Sequence, residues 1–160
     1  MKFGQKSFRL LTVLAIASQF NIAAFADEGD TAAPATVETP SGWSTNFSES
    51  LDQAEKSHKL VLADFYTSWC GWCKELDRTT FADPEFMQYV NEHFIPVKLD
   101  AEDKGEGQRT AEKNDVSAYP TGLVFAPNGK LLGRIFGYSP APQYKAKLLK
   151  IAKRGPKYHK

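Results

Sequence analysis

The stretch Ala63-Asp64-Phe65-Tyr66-Thr67-Ser68-Trp69-Cys70-Gly71-Trp72-Cys73-Lys74 holds the only two cysteines of the 160-residue chain, separated by two residues. On its N-terminal side, Lys59-Leu60-Val61-Leu62-Ala63-Asp64-Phe65-Tyr66 is an apolar segment rich in strand formers. On its C-terminal side, Lys74-Glu75-Leu76-Asp77-Arg78 lacks Pro and Gly and suits a helix. The pattern predicts strand, tight turn, helix, with Cys70 at the turn and Cys73 one helical turn inside. Two thiols held in this way form a redox site.

The chemistry depends on the spacing. Residues i and i+3 share a helix face, so the two sulfurs can bond or separate with little backbone movement. Cys70, at the helix N-terminus, meets unpaired N–H groups and the positive end of the dipole, which favour thiolate and make it the attacking sulfur. Cys73 is placed to resolve the mixed disulfide. Gly71 lets the turn tighten, and Trp72 carries an apolar surface beside the sulfurs. A structural disulfide is disfavoured, because so short a loop constrains the unfolded chain very little. A zinc half-site is disfavoured too: no second Cys pair exists, and His58, His93 and His159 are scattered singly.

Asp-Phe-Tyr-x-x-Trp-Cys-Gly-x-Cys-Lys, here Asp64 to Lys74, resembles the active-site segment of the thioredoxin superfamily. Trp72 between the cysteines is similar to exported thioredoxin-like proteins rather than to thioredoxin itself, which has Pro there. The resemblance runs from about Trp43 to Lys153. It implies an α/β, thioredoxin-like fold with a central mixed β-sheet flanked by helices, and a thiol–disulfide oxidoreductase whose only redox group is the cysteine pair, with no bound cofactor or metal. It also implies a role for Asp64, beneath the resolving cysteine and helping to move its proton. Lys98, in Val97-Lys98-Leu99-Asp100, resembles the lysine that pairs with that Asp; such a pair behind Cys73 makes a poised general base. Read without the resemblance, Asp64 is a strand-end residue in water. Most X-Pro bonds are trans, but Val116-x-x-Tyr119-Pro120-Thr121 resembles the family loop in which a cis-proline faces the cysteines. Trp69, Trp72, Tyr119 and Pro120 are therefore expected to bind substrate.

The beginning of the chain has the form of an address. Lys2, Lys6 and Arg9 precede a short apolar core, Leu10 to Ala17, and Ala24-Phe25-Ala26 fits a small-x-small cleavage site. The apolar core is too short for a membrane span, which needs about 20 residues, and no Cys follows it to carry lipid. Residues 1–26 are thus expected to be a signal peptide. Residues 27–42, rich in Ala, Thr, Pro and Glu, are expected to be a flexible linker. A thioredoxin-like domain over 43–155 and a basic tail over 156–160 complete the division. An exported chain whose cysteines all lie in one pair uses them for chemistry. The periplasm of a bacterium is favoured, secretion being the alternative. Nucleic acid is excluded as a partner by export, and a monomer is expected. The partners expected are protein or small-thiol disulfides and a membrane thiol donor of electrons.

Elsewhere the sequence predicts supporting elements. Phe47, Leu51 and Ala54 have helical spacing, with Ser50 and Gln53 as a capping box. Asn46-Phe47-Ser48 is a glycosylation sequon, a triplet common by chance. No clear strand precedes that helix; it is either very short, around Trp43, or lost. Asp83-Pro84-Glu85 starts a helix with Phe86, Tyr89 and Val90 on its apolar face. Phe94 to Asp100 is a strand in which Pro96 demands the start or an edge. Ala101 to Gly107 is a solvated loop, since Lys104 spoils it as a calcium loop. Gln108 to Asn114 is a short helix. Thr121 to Ala126 and Leu131 to Tyr138 form a hairpin around Asn128-Gly129. Tyr144, Leu148, Ile151 and Ala152 make the buried stripe of a last helix. With three basic residues in the leader and nine after Asp115, where no acid follows, the overall +1 leaves −11 for residues 27–115. A solvated basic helix face accounts for this, ahead of docking to an acidic partner or membrane surface.

Direction of electron flow is read from the residues between the cysteines. Strong oxidants stabilise the attacking thiolate heavily, whereas Gly71-Trp72 is uncharged, so a reductase or isomerase is expected. The alternative from another class is a module that holds copper or zinc on the two thiolates for delivery. A third reading, an interaction protein with a vestigial site, is disfavoured because each expected catalytic residue type is present.

Overall fold

Leu60–Tyr66 forms a strand, β1, buried along almost its whole length, and this explains why its sequence, Asp64 apart, is apolar rather than alternating. In the computed structural model, which describes residues 42–156, β1 lies inside a four-stranded sheet. The expected signal peptide, the linker up to residue 41 and tail residues 157–160 lie outside the described residues. The parallel neighbour of β1 is β2 (Phe94–Asp100) and its antiparallel neighbour is β3 (Thr121–Phe125), which pairs with β4 (Leu131–Phe136). The sheet order is β2-β1-β3-β4, a mixed sheet as expected.

Among the described residues, five helices cover the two faces: α1 (Phe47–Ser57), α2 (Gly71–Thr79), α3 (Pro84–His93), α4 (Glu106–Lys113) and α5 (Ala141–Ala152). Alternate residues of β1 point to opposite faces. Val61, Ala63 and Phe65 pack with Ala54 of α1 and Ala111 of α4. Leu60 and Leu62 pack with Leu76 of α2, with Phe86, Tyr89 and Val90 of α3, and with Tyr144, Leu148 and Ile151 of α5. Burial of each large side chain contributes roughly 1.5–3 kcal/mol. Asp64 has the parity of Leu60 and Leu62, so its carboxylate is directed into the layer that contains α2 and α5.

The segment before α1 makes a single parallel bridge, Ser44 with Val97, in place of a strand. Ser44 N–H donates to the Pro96 carbonyl at 3.0 Å, and Lys98 N–H donates to the Ser44 carbonyl at 2.8 Å. Pro96 sits third in β2, on the outer strand of the sheet. Since its carbonyl faces outward to Ser44, so does its ring nitrogen, and the ladder to β1 loses nothing.

Three local expectations are corrected. The cap of α1 is Asn46, whose Oδ1 accepts the Glu49 N–H at 2.9 Å. Ser50 lies a turn inside, its hydroxyl donating to the Asn46 carbonyl at 2.6 Å, and Gln53 bonds to Glu49 rather than to a cap. Helix α4 starts earlier than expected, at Glu106, because the Asp103 carboxylate accepts the N–H groups of Gly105, Gly107 and Gln108. Strand β4 ends at Phe136, since Gly137 adopts φ +67° and donates its N–H to the Pro120 carbonyl at 2.9 Å. The Asp83 cap is present, accepting the Phe86 N–H at 2.8 Å. On α5, Lys147 donates to Ser139, while Lys150, Lys153 and Arg154 are exposed.

Candidate active site

The turn that ends β1 delivers Cys70, whose N–H donates to the Thr67 carbonyl at 3.1 Å. Cys70 is the N-cap residue of α2, and its sulfur accepts the Cys73 N–H at 3.1 Å. A sulfur held in this way takes one of the unpaired amides of the helix start, an interaction that strengthens when it becomes a thiolate. The two cysteines are joined as a disulfide, with Cα atoms 5.3 Å apart. Cys73 is fully buried, whereas 5% of Cys70 reaches solvent, so an incoming sulfur meets Cys70 first.

Aromatic side chains surround this opening. Trp69 and Trp72 are 67% and 62% exposed, unusual for the largest apolar side chains. The Trp69 indole N–H donates to the Glu102 carboxylate at 3.1 and 3.2 Å, and its ring meets Tyr119 edge-on at 6.1 Å. Trp72 lies against Tyr138 at 5.7 Å. A shallow cleft open to solvent is lined by Gly71, Trp72 and Glu75. The Tyr119–Pro120 bond is cis, and Tyr119 is brought to the Trp69 side of the cysteines.

A buried charge cluster ties β1 and β2 to the helix that carries the cysteines. Asp64 and Lys98 are register partners on β1 and β2, and Lys98 Nζ donates to Asp64 Oδ2 at 2.9 Å and to Asp77 Oδ1 at 2.6 Å. Lys98 is 2% exposed and Asp64 not at all. The ammonium is also ringed by Tyr66, Phe81 and Trp43, at 4.8, 5.5 and 5.9 Å from their ring centroids, an arrangement that offsets part of its desolvation. Burial lifts the Asp64 carboxyl from 3.8 to about 6, against the opposing pull of Lys98. Burial likewise raises Asp77, again opposed by Lys98. For Lys98, burial acts to lower the pKa, but the two carboxylates prevail and raise it. Two carboxylates share one ammonium, so the cluster carries a net negative charge once both are ionised.

Sequence reasoning missed Asp77, Glu102 and Tyr138. Asp77 lies four residues after Cys73 on one helix, and that spacing was a usable signal. Glu102 and Tyr138 reach the site through chain reversals 33 and 66 residues away from their Trp partners, for which local sequence carries no signal. Among the described residues, no three His, Cys, Asp or Glu side chains converge to hold a metal ion, and His159 lies outside them. No described helix is long and apolar enough to cross a membrane.

Comparison with known proteins agrees with this geometry. Residues 47–152 match the thioredoxin-like domain family. The chain is 40% identical over 91 residues to thioredoxin-1 of Saccharomyces cerevisiae, covering 57% of this chain and 81% of the yeast protein. It is 30% identical over 127 residues to the thiol:disulfide interchange protein DsbD of Photorhabdus laumondii, covering 74% of this chain but only 22% of that larger protein. The reduced C-terminal domain of Neisseria meningitidis DsbD superimposes with a TM-score of 0.55 at 27% identity, covering 64% of this chain and 90% of the domain.

Proposed function

The chain belongs to the thioredoxin-like domain family and is a thiol–disulfide oxidoreductase; from that premise we propose that it acts as an exported reductase or isomerase, not as a strong oxidant. Cys70 thiolate attacks one sulfur of a substrate disulfide; that bond breaks, a mixed disulfide forms, and the departing thiolate takes up a proton. Cys73 then gives its proton to Asp64 and attacks Cys70 Sγ. The second substrate thiol leaves, and the enzyme keeps the disulfide, so two electrons pass to the substrate. Lys98 steadies Asp64 through its buried ion pair. Trp69, Trp72, Tyr119 and Pro120 form the surface against which the substrate chain lies.

The observation that carries the direction is charge. Gly71 and Trp72, between the cysteines, hold no cation, while Asp64 and Asp77 outnumber Lys98 on the buried side of α2. Excess negative charge disfavours a thiolate, and a less stabilised reduced form is a better reductant. Equilibration against glutathione, followed by Trp69 and Trp72 fluorescence, is expected to give a potential nearer about −270 mV than about −120 mV. A value at the oxidising end removes the proposed direction.

Export is proposed from the leader pattern of residues 1–26, with 27–42 as the linker, 43–155 as the working domain and a periplasm as the destination. Mass spectrometry of the chain recovered from a periplasmic extract should find Asp27 at its N-terminus. A reductant in an oxidising compartment needs resupply with electrons, so a membrane thiol donor is proposed as a second partner beside protein or small-thiol disulfides. The working unit is proposed to be a monomer, which light scattering after gel filtration tests.

A further inference from the structure

Tyr144 is fully buried at the start of α5, yet its hydroxyl has no hydrogen-bond partner among the described residues. Its ring meets Phe81 and Phe86 edge-on, each at 5.6 Å, which a phenylalanine would do equally well. A buried hydroxyl without a partner costs roughly 1–3 kcal/mol, so packing alone does not account for the oxygen. Its position does. A Cβ built on Gly122 would stand 2.2 Å from the Tyr144 oxygen, so the hydroxyl occupies the space of a side chain at residue 122. Gly122 is the antiparallel register partner of Asp64, and cross-strand neighbours hold their Cβ atoms about 4.5–5.5 Å apart. Only glycine leaves that space open. Asp64, for its part, has one oxygen on Lys98 and the other, Oδ1, buried with no partner among the described residues. A buried donor and a buried acceptor, neither with a partner among the described residues, thus belong to the same cross-strand neighbourhood. The negative charge of Asp64 also acts on Tyr144, whose own ionisation is pushed well up, chiefly by burial and then by that charge.

We propose that Tyr144 is a positioning residue for the redox reaction, its hydroxyl donating through one water molecule to Asp64 Oδ1 and so stabilising the ionised, proton-accepting form of that carboxylate. The charged and titratable groups that act on or are acted on by Asp64 are Lys98 from β2, Asp77 from α2 and Tyr144 from α5, and the proposed reaction adds the Cys73 thiol on α2 in the reduced protein. The proposal rests on the reading of Asp64 as the proton acceptor, and its test separates the two.

The oxidised full-length protein has no thiol to titrate, so Asp64 can be followed there alone, by carbon NMR of carboxyl-labelled aspartate with Asp64→Asn as the assignment control. In Tyr144→Phe the Asp64 midpoint is expected to rise by about one pH unit, the loss of one hydrogen bond to a charged group. Gly122→Ala, which displaces the hydroxyl without removing it, should shift the midpoint the same way. The pH dependence of insulin-disulfide reduction should move with the midpoint, and Tyr144→Phe should have no effect on that dependence in an Asp64→Asn background. An Asp64 midpoint unchanged in folded Tyr144→Phe overturns the proposal; should that variant not fold, an unchanged midpoint in Gly122→Ala does so. A shifted midpoint with an unshifted rate profile upholds the hydrogen bond and overturns the proton-acceptor role of Asp64.

Discussion

Asp64 and Lys98 stand opposite one another on adjacent parallel strands, and their side chains close a 2.9 Å ion pair from which solvent is excluded. Lys98 reaches past that pair to Asp77 on α2 at 2.6 Å. The sheet and the helix that carries the cysteines are therefore tied by one cation with two anions, and the third charge makes the cluster sensitive to pH.

The first consequence concerns stability. The Asp64 carboxyl is raised from 3.8 to about 6 in the folded protein. Between those values the folded chain holds a proton that the unfolded chain has lost, so acid favours folding and stability falls as pH rises through the window. Asp64→Asn should remove the Asp64 share of that fall, leaving only what the raised Asp77 contributes, and stabilise the oxidised protein at pH 7 by about 1–3 kcal/mol. Urea unfolding at pH 4.5 and pH 7 reads both effects, and a variant less stable than the parent at pH 7 contradicts the assignment.

Lys98→Met should act in the opposite sense. It leaves two buried carboxylates with no cation, which costs about 3–5 kcal/mol at neutral pH and pushes the Asp64 midpoint further up. The loss should shrink at pH 4, where protonation removes the uncompensated charge. Equal losses at both pH values would mean that packing of the lysine stem, not charge, sets the cost.

The thiols should differ in reactivity. In the reduced protein, iodoacetamide near neutral pH should modify Cys70 well before Cys73, because Cys73 is fully buried and Cys70 caps the helix. Cys73→Ser should accumulate mixed disulfides through Cys70, and Cys70→Ser should be inactive. Faster labelling of Cys73 would reverse the roles.

Trp69 and Trp72 should matter to large substrates and not to small ones. Replacing both by Ala should raise KM for a protein disulfide about tenfold, the loss of one interface anchor, with hydroxyethyl disulfide reduced at the parent rate. A matching loss with the small disulfide would place the effect on the cysteines themselves.

Glu106 tests the far side of the fold. Its carboxylate accepts the N–H groups of Phe47 and Ser48, at 2.6 and 3.0 Å, at the start of α1, and also the Ser48 hydroxyl. Glu106→Ala should cost about 1–2 kcal/mol in urea unfolding and leave the reduction potential unchanged.

The parts of this protein that were legible in the sequence are those set by short range. Strand, turn and helix around Cys70 and Cys73 follow from an apolar run, a two-residue spacing and the helix propensity that comes after. The Asp83-Pro84 start of α3, the hairpin around Gly129 and the buried stripe of α5 follow from turn chemistry and 3.6-residue periodicity. Three local readings failed, at the start of α4, at the end of β4 and at the α1 cap, where Asn46, four residues before Ser50, offers the better acceptor. What only the tertiary structure decided depends on register between distant segments. Among the described residues, a single bridge at Ser44 stands in place of a first strand, because Pro96 presents its carbonyl outward. Asp77 joins Asp64 because Lys98 is long enough to touch both, and the Tyr144 hydroxyl comes to rest over Gly122 because α5 crosses β3 at that point. Propensity and spacing act over a few residues and can be read along the chain. Which buried polar groups become neighbours is settled only when strands align and water is excluded, and that is where Asp64 acquires its raised pKa.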